Sequence, residues 1–565
     1  MLFIQIIGVM VYGVQWWTLK QKVMKNYAFG LVTVILLAVS CTGENTLRKA
    51  SATITADELR DYTRIVGADS FMGRKPFTAG ENITVEYLAG ELGKIGFLPA
   101  FDGSWFQEVP MVEITTTVSG NVLITAGKKS INLSTPDDIA IESPSMSELV
   151  ELVDIPMVFC GFGIVAPEYG WDDYAGLDVS GKCAIVLIND PGLYTGDSTL
   201  FKGKEMTYYG RWTYKFEEAA RQGATAILII HETLGAGYDY SIPRKSSTSP
   251  GLYMERPEEE IQPCPVSGWF SADAAEKIFT ATGHDVAALR KEACSKDYEG
   301  FSMGTSISMK LTNRHVMNSS LNVAGILPGR SRPDECVVIS AHWDHFGIGE
   351  TEMGDSIYNG TVDNGTSIAW ALEIGEAFAS MKERPERSVI VFFPTAEEQG
   401  LLGSAWFAAH PPVKPENIIA CFNNDMLLPI GRMKDIMVTG YGQSELDDLL
   451  AEAAVKQDRY IMPDPTPEKG MYFRSDHFSF ARIGVPSLFA RGNCDSREFG
   501  SEWAAERENE YLTLRYHKPA DNYYPEMNFD GVAEDARVIL DVAYTVANSD
   551  IRPAWKPGSE FANIR

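Results

Sequence analysis

The sequence predicts an α/β protein: a mixed, mainly parallel sheet flanked by helices, with a second, β-rich α/β unit inserted into it. Three observations carry this reading. Apolar, β-branched runs at Cys336–Ala341, Ser388–Pro394 and Ile418–Phe422 are each long enough for one buried strand and too short for a typical helix. Helical apolar spacing at Ile368–Met381, Glu445–Lys456 and Phe529–Val546 alternates with such runs, the pattern of βαβ units. A separate series of strand and helix signals fills 145–310.

Length and composition are consistent with this. At 565 residues the chain needs two or three domains. Apolar residues at 45% and charged residues at 22% are ordinary globular values, enough for a sizeable core. Net charge is −27, and the first 40 residues contain Lys20, Lys22 and Lys25 but no acid, so the acidity lies in the body. Such acidity argues against nucleic acid or anionic lipid as a main partner.

The chain opens on a targeting segment, 1–41. Met24–Cys41 has a basic start at Lys25 and an apolar core, Tyr27–Val39, of signal-peptide length. Its Ala38-Val39-Ser40-Cys41 end resembles a bacterial lipobox, with Ala38 where Leu is usual. The resemblance implies a lipidated Cys41, membrane attachment through it, and a place in the bacterial cell envelope. A single membrane anchor from Met1 to Val39 is the alternative, but Gln15, Thr18, Lys20 and Lys22 interrupt the run. The polar stretch 42–54 is expected to be a tether.

In chain order, 55–140 is expected to form the amino-terminal part of the main domain, 141–312 the insertion, and 313–565 the rest of the main domain. Thr55 with Glu58 three residues on has capping-box spacing for a helix to Val66. Gly80–Gly96 has helical spacing and a glycine stop, and Trp105–Val112 is strand-like. In the insertion, strands are expected at Met157–Val165, Lys182–Ile188 and Gly223–Ile230, a helix at Tyr214–Gln222 and an exposed loop at Gly192–Arg211. Leu321–Leu327 is the strand that leads back. No His clusters with carboxylates in 145–310, so the insertion is structural or shapes access. Apart from Cys41 there are seven cysteines and no CxxC, and a Cys264–Cys294 pair stays open.

Chemistry gathers after the buried runs. His342 and Asp344 follow the first, Glu397 and Glu398 the second, and Asp425 the third. Asp363 lies in a Gly-flanked turn before a helix, and His517 in the loop YHKPADNYY. Ligands bind at the carboxyl ends of parallel strands in open α/β sheets. Two His with several carboxylates suit zinc, manganese or cobalt, and one carboxylate can bridge two ions while another serves as base. Taken singly each residue is weak evidence; together they point to a dinuclear metallohydrolase.

At these residues the chain resembles the M28 family of metallopeptidases, a zinc aminopeptidase fold. The matching pieces are SAHWDH (340–345), VDNGTS (362–367), EEQGLLGS (397–404), NNDM (423–426) and YHKPAD (516–521). ADSFMGRKPFTAGE and LAGELGKIGFLPA resemble the family's amino-terminal block, and 145–310 resembles an inserted protease-associated (PA) domain. The resemblance implies two divalent ions, zinc by family habit. His342, Asp363 and Asp425 would hold one, Asp363, Glu398 and His517 the other, with Asp363 bridging through a cis Asp363–Asn364 peptide. Glu397 would be the general base acting on metal-activated water, and Asp344 would fix the orientation of His342.

The implied activity is exopeptidase cleavage of a peptide substrate, first as an aminopeptidase. A carboxypeptidase stays open because Arg474, Arg482 and Arg491 lie near the later motifs and a substrate carboxylate needs such a partner. Glutaminyl cyclisation on the same fold and a non-catalytic receptor are further alternatives. His477, in RSDHFSF (474–480), lines the substrate pocket or packs in the core on this reading, and His345 supports the ligands or is polar surface. Tyr511, Tyr516, Tyr523 and Tyr524 crowd the His517 loop, where one phenol could support an oxyanion. Ser367 and Ser404 lack a nucleophile motif.

Overall fold

The computed structural model describes residues 45–257 and 260–564. The targeting segment with Cys41 lies outside them. Among the described residues no helix is long and apolar enough to cross a membrane. Residues 45–54, expected as tether, are helical over 45–51 and bury Ala50 and Ile54 in the main core.

Helix α1 (Ala56–Val66) starts where its cap predicts: the Glu58 N–H donates to Thr55 Oγ1 at 3.2 Å. The return arm of a capping box goes elsewhere. The Thr55 N–H donates to Glu373 Oε2 at 3.1 Å, which ties the helix start to the core. Helix α2 (Ala79–Lys94) follows, then strand β1 (Phe106–Val118). Strand β1 runs six residues beyond its expected end because it pairs along most of its length with a later strand.

Beyond β1 the chain builds a second core. Its strands are β2 (Val122–Ala126), β3 (Lys129–Leu133), β4 (Ile139–Glu142), β5 (Leu149–Phe159) and β6 (Cys183–Leu187). Helix α3 (Trp212–Arg221), β7 (Ala226–Ile230) and β8 (Val266–Phe270) complete it. Strands β5, β6, β7 and β8 pair in parallel, with β4 antiparallel at the edge. The expected Met157–Val165 strand stops at Phe159, because Gly161 and Gly163 turn the chain through left-handed backbone. The expected exposed loop at Gly192–Arg211 is largely packed instead. Phe201 stacks on Tyr169, and the Asp190 carboxylate accepts from the Thr207 N–H and hydroxyl at 3.0 and 2.9 Å. Cys264 and Cys294 are free thiols.

The return strand β9 (Phe301–Leu327) is 27 residues long and belongs to both cores. Its first half pairs with β5 and β2, and its last with β13 of the main sheet. Between them, Leu311–Val323 runs antiparallel to Val118–Phe106 of β1. The expected cut at 312/313 falls inside this strand and that at 140/141 inside β4, and β2 and β3 share the insertion's core.

The main sheet continues with β10 (Arg332–Ser340), the hairpin β11 (Gly347–Glu352) and β12 (Asp355–Tyr358), helix α4 (Ser367–Ala379) and β13 (Arg387–Phe393). Then come α5 (Leu402–Ala409), β14 (Ile418–Asn423), β15 (Asp435–Thr439), α6 (Leu446–Val455), β16 (Ser487–Arg491), α7 (Gly500–Leu514) and α8 (Asp530–Ala547). Strands β13, β10, β14 and β16 lie side by side and parallel, flanked by antiparallel β9 and β15. Both sheet faces are covered. Val337, Ile339, Val389 and Val391 pack with Trp370 and Ile374 of α4 and with α8, while Val338 and Ile390 pack with Phe407 and Phe480.

Candidate metal centre

The three parallel strands β13, β10 and β14 end together, and the residues just beyond them converge. His342 lies past β10, Glu397 and Glu398 past β13, and Asp425 past β14. Asp363 enters from the turn before α4, which contains a cis Asp363–Asn364 peptide. His517 arrives from the loop after α7.

Distances define two adjoining groups. His342 Nε2 lies 3.4 Å from Asp363 Oδ1 and 3.3 Å from Asp425 Oδ1. His517 Nε2 lies 3.2 Å from Asp363 Oδ2 and 3.3 Å from Glu398 Oε2. Asp363 thus turns one oxygen to each group, as a bridging carboxylate must. Donors about 3.3 Å apart are spaced like neighbours around a tetrahedral centre with bonds of about 2.0–2.1 Å, the values for zinc. The donor set is oxygen-rich and nitrogen-tipped, so the residues fit two divalent ions. Each of the five expected ligands is therefore in one of the two groups.

Backbone detail explains how they are held. Ala396, Met426 and His517, none of them glycine, have φ of 52°, 55° and 57°. These are left-handed conformations that cost energy and aim Glu397, Asp425 and His517 inward. At Gly360, φ 55°, a Cβ would sit 2.2 Å from the Asp363 oxygen and 2.6 Å from the His345 ring, so only glycine fits.

Asp344 works differently from expectation. His342 Nδ1 contacts its backbone carbonyl at 3.1 Å, while its carboxylate is 3.8 Å away. That carboxylate instead accepts from the backbone N–H groups of Glu397 at 3.0 Å and Glu398 at 3.4 Å. Two convergent amides hold an anion better than one imidazole edge does, so Asp344 orients the Glu397–Glu398 turn. Its carbonyl leaves His342 Nε2 as the inward-facing nitrogen.

Electrostatics follow from crowding acids in a buried place. Burial, reinforced by Asp425, Glu398 and Asp476, pushes the Glu397 carboxyl well above its ordinary range. Burial opposes charge on His342, but Glu397, Asp425 and Asp363 outweigh it and hold that imidazole well above its ordinary value. His517 is likewise raised, to about 10, by Glu398 and Asp363 against the penalty of burial. Glu398 is lowered to about 2 despite burial, through His517 and His345. Four carboxylates around two imidazoles make a site that favours positive charge, which bound cations would supply.

The roles of several neighbours were open in sequence, and Asp476 was missed there. His345 is fully buried, and its Nδ1 bonds Glu398 Oε1 at 2.6 Å, fixing the oxygen that His517 does not face. Asp476 is buried close enough to raise Glu397, and burial lifts it to about 7. His477 is buried among Tyr472 and Phe489, and burial drives its imidazole down to about 3, the behaviour of a packing residue. Tyr516 stacks on His517 with ring centroids 3.7 Å apart. Tyr511 instead donates to Asp521 at 3.2 Å, and Tyr524 lies under Arg515. Ser404 bonds Ser479 and no histidine.

The three arginines have other work. Arg482 pairs with Glu217 of the insertion at 3.0 Å, and Arg474 donates to the carbonyls of Lys469 and Ala236 at 2.9 and 3.3 Å. Arg491 donates to the Asp425 carbonyl at 2.7 Å.

Residues 322–543 match the model of peptidase family M28. Among curated proteins, Aminopeptidase NAALADL1 of Mus musculus is 29% identical over 168 residues, 27% of this chain and 21% of that protein. Carboxypeptidase Q of Xenopus laevis is 25% identical over 258 residues, 44% of each. The chain thus spans less than half the length of either relative. Among solved structures, an aminopeptidase from Aneurinibacillus sp. strain AM-1 superposes with TM-score 0.47 and 16% identity, covering 90% of this chain and 97% of that one.

Proposed function

We propose, from the chain's membership of peptidase family M28 through residues 322–543, that it is a dinuclear metal-dependent exopeptidase acting as an aminopeptidase. The observation that carries this is Asp363, with one oxygen facing His342 and the other facing His517. His342, Asp363 and Asp425 would hold one ion, and Asp363, Glu398 and His517 the other, with zinc the first candidate. The ions, when bound, supply Lewis acidity and a water of lowered pKa.

The rest is done by side chains. Glu397 stands beside His342 with Oε2 3.8 Å from Nε2, outside the two donor groups, and its turn is pinned by Asp344. A carboxyl raised in this way is a stronger base than a free one, suited to take a proton and return it to the leaving amine. Burial and the surrounding carboxylates keep the Tyr516 phenol protonated, so it remains a donor for a developing oxyanion. The surplus of acids suits a substrate α-ammonium. A carboxypeptidase would require a cationic partner, whereas Arg474 and Arg482 are committed to carbonyls and to Glu217.

A panel of free-amine and N-blocked peptides, each with and without chelator, tests the proposal. Free-amine peptides should be cleaved from the amino end and chelator should stop it. Cleavage indifferent to chelator removes the metal reading, and cleavage confined to blocked peptides removes the aminopeptidase one. We infer further that the inserted unit, with β2 and β3 in its core, is PA-like and that Cys41 anchors the protein in a bacterial envelope. Cys41→Ser should release the protein from the membrane fraction, and retention there would count against the anchor.

A further inference from the structure

We infer that Arg74 is a positioning residue for the candidate metal centre: with Asp521 opposite, it clamps the loop that carries Asp363 and ties it to the strand end that carries His342. Arg74 comes from the amino-terminal block, before the insertion, and is completely buried. Among the described residues it makes no ion pair within 4 Å; its guanidinium is spent on backbone carbonyls. Nε donates to Trp343 at 2.8 Å. Nη1 donates to Val66 at 2.9 Å and Asn359 at 2.5 Å. Nη2 donates to Gly360 at 2.9 Å and lies 3.5 Å from the Asp363 oxygen. Its own carbonyl accepts from the His345 N–H at 3.1 Å.

These partners fall in two places that the centre must keep in register. Trp343 and His345 follow directly on the His342 ligand and bracket Asp344, and Asn359, Gly360 and Asp363 form the loop of the bridging ligand. Asp521 serves the opposite polarity of the same loop. Its carboxylate accepts from the Val362 N–H at 3.1 Å and the Asp363 N–H at 3.1 Å. Its backbone carbonyl accepts from Thr361 at 3.0 Å, and Tyr511 steadies it through a 3.2 Å bond. The loop's carbonyls thus face a cation and its amides an anion. Neither charge would be buried cheaply without this array.

The local backbone serves the same end. Met72, Gly73 and Arg74 are all left-handed, at 53°, 67° and 51°. A Cβ at Gly73 would lie 2.5 Å from the Gly347 oxygen and 2.6 Å from that of Tyr358. The turn is therefore pressed against the β11–β12 hairpin, with the guanidinium reaching the loop behind it. A planar fork offers five donors in fixed directions, enough for all five carbonyls around Arg74, whereas an ammonium offers three from a single point.

The inference rests on the metallopeptidase reading, since the clamp matters through His342 and Asp363. The test uses the full chain with Arg74→Met, Arg74→Lys and Asp521→Asn. Zinc affinity is measured by competition with a chromophoric chelator, alongside circular dichroism and kinetics on a free-amine dipeptide. Arg74→Met and Asp521→Asn should keep the wild-type far-ultraviolet spectrum, bind zinc about 10–100-fold more weakly, and lose kcat with little change in KM. Arg74→Lys should recover part of the affinity. Folded Arg74→Met or Asp521→Asn protein that binds zinc like wild type overturns the clamp. Should Arg74→Met fail to fold, Asp521→Asn decides in the same way. A wild-type chain that binds no zinc overturns the metal reading itself, and this is seen before any variant is made.

Discussion

Glu397 and Glu398 are neighbours in sequence with opposite tasks, and their surroundings separate them. Glu398 faces His345 and His517 and is held ionised, whereas Glu397 is surrounded by other carboxylates and favours its proton. Glu397→Gln should therefore lower kcat by on the order of 10²–10⁴-fold while elemental analysis finds the wild-type metal content. A variant near the wild-type rate would take the base role from Glu397. His517→Ala should show the reverse order of effects, losing about one metal equivalent per chain with the remaining ion still bound. Full metal content in that variant would remove His517 from the ligand set. Glu397 and Glu398 were legible because they follow a buried run, and His517 because it stands in the polar loop YHKPADNYY. His345 was not, since a second His beside HWD looks the same in sequence whether it faces water or Glu398.

At the scale of elements, helices were read with small end errors because the period-3.6 pattern survives without tertiary context, whereas β1, β5 and β9 extend six or more residues past their expected ends through pairing with distant strands. The main misreadings concern contacts between distant segments. Phe201 and Thr207 sit in a stretch rich in Gly, Tyr and Lys, and they are buried only because Asp190 and Tyr169 come to meet them. The α1–α4 contact carries a pH prediction. Glu373 is raised from 4.5 to about 8 by burial, aided by Glu58 and Glu376. The folded state therefore holds this proton more tightly than the unfolded chain does. Stability from this group is present below about pH 4.5 and is lost as pH rises through about 8. Glu373→Gln should raise the denaturant midpoint relative to wild type at pH 9 and leave it nearly unchanged at pH 4.5. An equal shift at both pH values would remove burial of the carboxyl as the cause.

In the whole molecule, two cores share strand β9 and meet again far along the chain. Met206 and Tyr208 of the insertion pack with Tyr472, Phe473, Phe478 and Phe561, beside the segment that leads to Asp476 and His477. The carboxyl-terminal segment joins them, where Glu560 accepts from the Tyr208 N–H at 2.9 Å. This contact fixes the insertion against one wall of the centre. Phe478→Ala, which removes a ring 5.0 Å from Tyr208 and 5.2 Å from Phe473, should cost about 3–5 kcal/mol. Hydrogen exchange should then rise in the insertion's strands β6 and β7 as well as in β16. Unaltered protection in β6 and β7 would mean that the insertion is stable on its own.

By itself the sequence determined the α/β class, the order of the strands that carry ligands, and the residues His342, Asp363, Glu397, Glu398, Asp425 and His517. His342, Glu397, Glu398 and Asp425 follow from hydrophobic periodicity and chemistry placed at strand ends, and Asp363 and His517 from short motifs in a turn and a loop, all of which are local. Only the tertiary structure decided that Asp363 turns one oxygen to each histidine, that Asp344 serves the Glu397–Glu398 turn, and that Arg74 and Asp521 grip the loop between them. Those outcomes depend on angles and buried polar partners separated by up to 289 positions, from Arg74 to Asp363. No local pattern encodes which carbonyl a buried guanidinium will meet.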